Sequence, residues 1–135
     1  MNPPKHILSA ATIILNEENK ILLIKGPKRG WEMPGGQVEE NESLKEAAIR
    51  ETKEECGLEI EIVRFCGIFQ NVERSICNTL FLGKVTGGTL ETTEEALEVG
   101  FFPLKEACEM VTWGNFWKRI EHCLDERKQP FFVDF

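Results

Sequence analysis

Apolar positions along the chain recur with two different periods, and the switch between them sets the expected elements. Ile7 to Leu15 is rich in Ile, Ala and Thr and predicts a strand. Asn16 to Asn19 is a polar turn, and Lys20 to Ile24 is a short apolar run that reads as the returning strand of a hairpin. Gly26 to Gly30 is a basic loop, Trp31 to Met33 a short extended piece, and Pro34-Gly35-Gly36 a break. The period then becomes helical from Glu42 or Ser43 to Cys56, with Asn41 or Ser43 as N-cap and Gly57 placed for a left-handed C-terminal cap.

Alternation returns after the helix. Leu58, Ile60, Ile62 and Phe65 alternate against Glu59, Glu61 and Arg64, with one slip in phase. Cys66 to Val72 and Ile76 to Val85 predict two further strands, the second ended by Gly87-Gly88. Thr89 to Glu95 is an acidic loop, and Ala96 to Phe102 the last expected strand, broken by Pro103. Pro103 to Met110 predicts a short helix with proline in its first turn. A longer amphipathic helix is expected from Thr112 to about Lys128, its core-facing stripe running from Trp113 through Phe116, Trp117, Ile120 and Cys123 to Leu124. The aromatic tail Pro130 to Phe135 is expected to pack on the body or on a subunit partner. Strands, a helix, more strands and two helices imply a mixed α+β or α/β layered domain spanning residues 1–135, monomeric or homodimeric.

Composition narrows the function. The chain has 135 residues, 41% of them apolar and 29% charged, as in ordinary soluble domains. Its formal net charge of -7 disfavours general nucleic-acid binding, which needs phosphates to be neutralised by Lys and Arg. A small phosphorylated partner remains allowed if a cation offsets local carboxylates. The five cysteines, Cys56, Cys66, Cys77, Cys108 and Cys123, are odd in number and form no CxxC pair, so they predict reduced core thiols rather than a disulfide framework or a zinc site. No secretory leader pattern and no run of membrane-spanning length is evident, and a cytoplasmic location is expected.

Candidate chemistry lies between Trp31 and Leu58. Pro34-Gly35-Gly36 lets backbone approach a ligand or metal, because glycine carries no obstructing side chain. On the helix, Glu54 lies about 60° to one side of Glu51 and Glu55 about 40° to the other. Three carboxylates inside an arc of about 100° repel one another. A hard divalent cation, Mg²⁺ or Mn²⁺, removes that penalty. Arg50 is placed to pin a neighbouring carboxylate in a bidentate pair. A glutamate-rich helix alone is ordinarily a solvated face. Here the spacing is fixed: Gly36, five residues, Glu42, seven residues, then Arg50-Glu51-Thr52-Lys53-Glu54-Glu55-Cys56-Gly57-Leu58.

That spacing, with its Trp-any-any-Pro-Gly-Gly lead-in, resembles the Nudix box. One position departs: Thr52 stands where the family usually has Ile, Leu or Val, and its hydroxyl can bond back to the helix backbone. Asn41 stands where many members have glycine, and Asn is the next most tolerant of left-handed backbone. The resemblance implies a Nudix-like mixed sheet sandwiched between helices. It also implies hydrolysis of a nucleoside diphosphate linked to another group by water attacking phosphorus. Carried across, Glu51 is the metal-bound carboxylate or the base, Glu54 and Glu55 are metal ligands, and the Gly35 carbonyl is a further ligand. Arg50 orients Glu51, and Glu42 supports the loop in a salt bridge with Arg50.

Relatives often supply another glutamate from a loop outside the box; Glu91, Glu94 and Glu95 are the candidates here, against a solvated loop. Lys25, Lys28 and Arg29 are candidates to meet substrate phosphates, against a solvated turn. Trp31, Phe69 and Phe81 are candidates to stack a base, against burial in the core. ADP-ribose-cleaving members often carry a proline past the box and dinucleoside-polyphosphate members a tyrosine; there is no proline between Pro34 and Pro103 and no tyrosine anywhere. A small nucleotide, either a nucleoside triphosphate or a nucleoside-diphosphate derivative, is therefore the expected substrate. Two alternatives stay open: a catalytically silent domain that binds nucleotide or protein, and an RNA 5′-end pyrophosphohydrolase.

Overall fold

Ile7–Leu15 (β1) is buried on both faces from Ala10 to Ile14, as an interior strand of a covered sheet must be. In the computed structural model, which describes residues 2–135, β1 runs parallel to Ile76–Gly88 (β6), from the pair Ile7–Ile76 to the pair Leu15–Lys84. The expected hairpin forms at its turn, where Asn16 Oδ1 accepts from the Glu18 and Lys20 N–H groups. The returning strand, Ile21–Gly26 (β2), pairs with β1 only at Leu15–Ile21. It then pairs with Gly30–Glu32 (β3) and Glu98–Phe102 (β7).

The edge of β1 left open by this divergence is taken by Gly35–Gln37 (β4), antiparallel, in register Ser9–Gln37, Ala10–Gly36 and Ala11–Gly35. The sequence predicts a break at Pro34-Gly35-Gly36, and the structure instead makes its glycines a strand. A Cβ on Gly35 would stand 2.7 Å from the Ala11 side chain, so only glycine lets the two backbones meet there.

After Leu44–Cys56 (α1), the two strands expected between Leu58 and Val72 are one continuous strand, Leu58–Asn71 (β5). The slip in hydrophobic phase is real: β5 shifts register against β6 at Glu59/Ile60, Ile62/Arg64 and Phe65/Gly67. The aromatic tail adds a strand that alternation does not reveal, Phe131–Asp134 (β8), parallel to β5. The sheet therefore runs β3-β2-β1-β6-β5-β8, with β4 on β1 and β7 on β2.

The helices cover both faces of this mixed sheet. Ala47 and Ala48 of α1 pack on Ala10 and Phe81 on one side. Leu104–Met110 (α2) and Phe116–Leu124 (α3) close the other over Ile13, Leu23, Phe69 and Leu80. Because β1 side chains alternate between faces, neighbouring residues such as Ala10 and Ala11 serve opposite layers. Helix α3 is shorter than the predicted span from Thr112 to Lys128. Gly114 takes left-handed backbone at φ 49°, so the helix starts only after Asn115, and Glu126–Lys128 is a separate 3-10 turn. The same break turns Trp113 out of the core stripe to 50% exposure.

Candidate active site

The site is assembled by α1 and the edge strand β4. Ser43 Oγ accepts from the Glu46 N–H at 3.0 Å and starts the helix, while Asn41 makes the preceding turn at φ 65°. Gly57, at φ 82°, ends it through its N–H to the Lys53 carbonyl. Between these caps, Thr52 is fully buried and its hydroxyl donates back to the Ala48 carbonyl at 2.9 Å, as its place in the motif implies.

Arg50 organises the carboxylates. It grips Glu42 with two bonds, Nε to Oε2 at 2.6 Å and Nη2 to Oε1 at 2.9 Å. Nη1 donates to Glu51 Oε1 at 2.9 Å and to Glu54 Oε2 at 3.1 Å, and Nη2 reaches the Gln37 carbonyl at 3.1 Å. This fork ties α1 to the end of β4. Glu55, buried on the other flank, accepts from the Gly35 N–H at 2.8 Å.

Glu51 and Glu55, with Glu32, Glu95, Gly35 and Gly36, line one cavity of about 440 Å³, which Lys28 and Arg29 also line. Burial pushes the Glu55 carboxyl up to about 8, against the Gly35 N–H, with Glu51, Glu32 and Glu95 adding repulsion. Burial likewise raises Glu51, opposed by Arg50, and Glu32, opposed by Arg29. Glu42 goes the other way: hydrogen bonds from Arg50 and the Glu39 N–H hold it down at about 2. A Cβ on Gly36 would come within 2.6 Å of both Glu51 oxygens, so the missing side chain is what lets Glu51 lie against β4.

These donors are hard oxygens, the kind that suit Mg²⁺ or Mn²⁺. Among the described residues no three His, Cys, Asp or Glu side chains converge as a formed metal site. Glu51 and Glu54 lean on Arg50, and Glu55 leans on the Gly35 N–H. In kind, though not in their present placement, these donors suit a divalent cation. Binding requires these carboxylates to exchange their present partners for it.

The remaining sequence candidates separate. Arg29 lines the cavity, paired with Glu32 at 3.1 Å. Lys25 does not; it pairs with Glu98 at 3.2 Å and sits over the Trp31 ring. Trp31 packs edge-on against Phe102, and Phe81 is only 2% exposed beneath α1, so neither meets the cavity. Glu54 points outward, its side chain 59% exposed. Of the three loop glutamates only Glu95 reaches the cavity wall. Thr93 holds that loop: its hydroxyl donates to the Glu55 carbonyl at 2.9 Å and accepts from the Glu95 and Ala96 N–H groups.

Two features escape the sequence reading. Glu32 sits inside the lead-in motif, two residues before Pro34, where its acidity among basic and apolar neighbours was the available signal. A second cavity of about 380 Å³ shares Arg29, Glu32, Gly35 and Gly36 with the first. It continues between the sheet and α3, past Asn78, Trp113, Phe116 and Arg119. Phe69, a sequence candidate for stacking, is also on its wall, though almost wholly buried.

Among the described residues no helix is long and apolar enough to cross a membrane. All five cysteines are free; Cys56, Cys66 and Cys123 are buried and Cys108 is exposed.

A family model described as NUDIX domain matches residues 5–120. An ADP-ribose pyrophosphatase of Methanocaldococcus jannaschii is 36% identical over 107 residues, 73% of this chain and 63% of that protein. An 8-oxo-dGDP phosphatase of Mus musculus is 35% identical over 99 residues, 67% of this chain and 30% of that protein. The matches thus span less than two thirds of either relative. Among solved structures, a NUDIX hydrolase of Nitrosomonas europaea superposes at a TM-score of 0.86 with 26% identity, covering 99% of this chain and 81% of that one.

Proposed function

The chain belongs to the Nudix family, and on that premise we propose that it is a divalent-metal-dependent hydrolase of a pyrophosphate bond in a small nucleotide. The substrate is a nucleoside triphosphate or a nucleoside-diphosphate derivative. The relatives named for ADP-ribose and 8-oxo-dGDP support that class, since both compounds carry a nucleoside diphosphate. One observation carries the reading: Glu51 and Glu55 of α1 line a single cavity with the Gly35–Gly36 edge, Glu32 and Glu95.

Glu51, Glu54, Glu55 and the Gly35 carbonyl would hold Mg²⁺ or Mn²⁺, which when bound lowers the pKa of water and offsets the charge of the pyrophosphate. The chain's own groups do the rest. Arg50 holds Glu51 through Oε1, and Oε2, with no donor among the described residues, is the oxygen left to the metal or to the proton of the attacking water. The water oxygen bonds to phosphorus, the bridging P–O bond breaks, and the bridging oxygen departs on the leaving phosphate. Lys28 and Arg29, on the cavity wall, neutralise the phosphates beyond that bond. Glu32 and Glu95 hold further negative charge at the wall and favour cation entry. Five unpaired thiols suit a reducing cytoplasmic setting.

The test is a nucleotide panel incubated with Mg²⁺ or Mn²⁺ and assayed for released phosphate or pyrophosphate, with Glu54→Gln and Glu55→Gln as controls. Turnover of at least one compound, lost in the controls, is expected. No turnover across a broad panel, with mononucleotides still bound, would point to a silent nucleotide-binding domain instead.

A further inference from the structure

The second cavity contains an arginine without a counterion. Arg119 leaves α3 partly buried, and no carboxylate among the described residues pairs with it. It is held by neutral groups. Nε donates to Asn115 Oδ1 at 2.8 Å and Nη1 to Asn78 Oδ1 at 3.0 Å. Aromatic rings carry its face: the guanidinium carbon stands 4.8 Å from the centroid of Phe116 and 5.3 Å from that of Phe69. Burial and the nearby Arg29 lower its pKa to about 10, a measure of how poorly its charge is compensated.

The orientation of these partners is fixed. Arg119 can only donate, so the Asn78 carboxamide turns its oxygen to the guanidinium and its Nδ2 donates to Ser9 Oγ at 2.8 Å. Both amide oxygens beside the guanidinium are therefore engaged. Nη2 donates to no protein group among the described residues. The free hydrogen-bonding capacity of Arg119 in this cavity is that of N–H donors in a planar fork, with an exposed Trp113 and the Phe116 ring alongside. Such a fork matches two adjacent acceptors in one plane. A 6-oxopurine offers them at O6 and N7, whereas adenine presents an amino donor in place of O6.

We propose that this cavity receives the nucleobase of the substrate and that Arg119 is a specificity-determining residue, selecting guanine or hypoxanthine over adenine by donating to O6 and N7. The proposal rests on the reading of the substrate as a nucleotide. The base lies against Trp113, and Arg29 and Glu32, shared by the two cavities, mark the route from base to phosphates.

Two arms test it. In the first, GMP, IMP and AMP are titrated into the metal-free full chain by calorimetry, which needs no turnover. GMP and IMP should bind about 10- to 100-fold more tightly than AMP. Arg119→Lys, which keeps the charge and loses the fork, should bring the three within about threefold of one another. Trp113→Ala, a surface change, should weaken all three by about tenfold and leave their ratio intact. In the second arm, kcat/KM for GTP, ITP and ATP with Mg²⁺ should show the same preference, carried by KM. AMP binding as tightly as GMP, no binding of any mononucleotide, or a GMP-to-AMP ratio unchanged in Arg119→Lys would overturn the proposal. Selective binding of GMP with no hydrolysis of any triphosphate would sustain it and sink the hydrolase reading instead.

Discussion

Arg50 hydrogen-bonds to three glutamates and one backbone carbonyl, and its grip on Glu42 has a measurable signature. The folded-state pKa of Glu42 lies at about 2, below its ordinary value of 4.5. A depressed carboxylate contributes stability that is fully present above 4.5 and disappears as pH falls toward 2. The melting temperature of the metal-free protein should therefore drop between pH 4.5 and 2, and Glu42→Gln should flatten that part of the curve. Equal slopes in the two proteins would show that the Arg50–Glu42 pair does not couple to folding. A second residue-scale test concerns Thr12, whose buried hydroxyl has no hydrogen-bond partner among the described residues. Thr12→Val keeps the shape and removes the stranded polar group, so denaturant unfolding should show a gain of about 1 kcal/mol. A loss of similar size would mean that the hydroxyl is satisfied in solution.

Elements act here through where they touch. Strand β4 exists because two glycines let it lie on β1 and beneath Glu51. Gly36→Ala places a methyl against the Glu51 carboxylate, at a backbone position with no left-handed strain. It should cut turnover by about 100-fold while leaving the far-ultraviolet circular dichroism spectrum unchanged. Wild-type turnover in that variant would detach Glu51 from the chemistry. Thr93 binds the acidic loop to the end of α1, and Thr93→Val should release Glu95 from the cavity wall. Its effect should appear as weaker Mg²⁺ activation with little change in melting temperature; a large loss of stability with normal activation would make Thr93 purely structural.

The same contacts explain what the sequence made legible. Helix α1 could be read in full because its caps and its Arg-Glu pattern are local, set within one span from Ser43 to Gly57. Strand β8 could not, because its partner β5 lies some 60 residues earlier and its short aromatic run does not alternate. The glycines of β4 read as a break because only the neighbouring Ala10 and Ala11 make them a strand. Trp113 fits the period of α3 and leaves it only through the backbone of Gly114. The pairing of Arg119 with Asn78 joins a helix to a strand 41 positions away, and no spacing rule announces it.

At the scale of the whole molecule, a chain of net charge -7 keeps its acidic and basic site residues in two adjoining cavities. Carboxylates gather at the α1 end of one cavity. Arginines gather in the adjoining one, where Arg29, Arg74 and Arg119 line the wall with a single carboxylate, Glu32. Apolar layers on the two faces of the sheet hold α1 and α3, and the cavities open where β4 meets α1 on one side and α3 on the other. In the proposed reaction the α1 carboxylates at the β4 edge support divalent-metal-dependent attack of water on a pyrophosphate. This role is tested most directly by hydrolysing the best nucleotide of the panel in ¹⁸O-labelled water with Mg²⁺, comparing the wild type with Glu55→Gln. One labelled oxygen should enter a phosphorylated product, and kcat should fall by about 100-fold or more in the variant and on removal of the metal. Label confined to a non-phosphorylated fragment, or a Glu55→Gln rate close to that of the wild type, would contradict it.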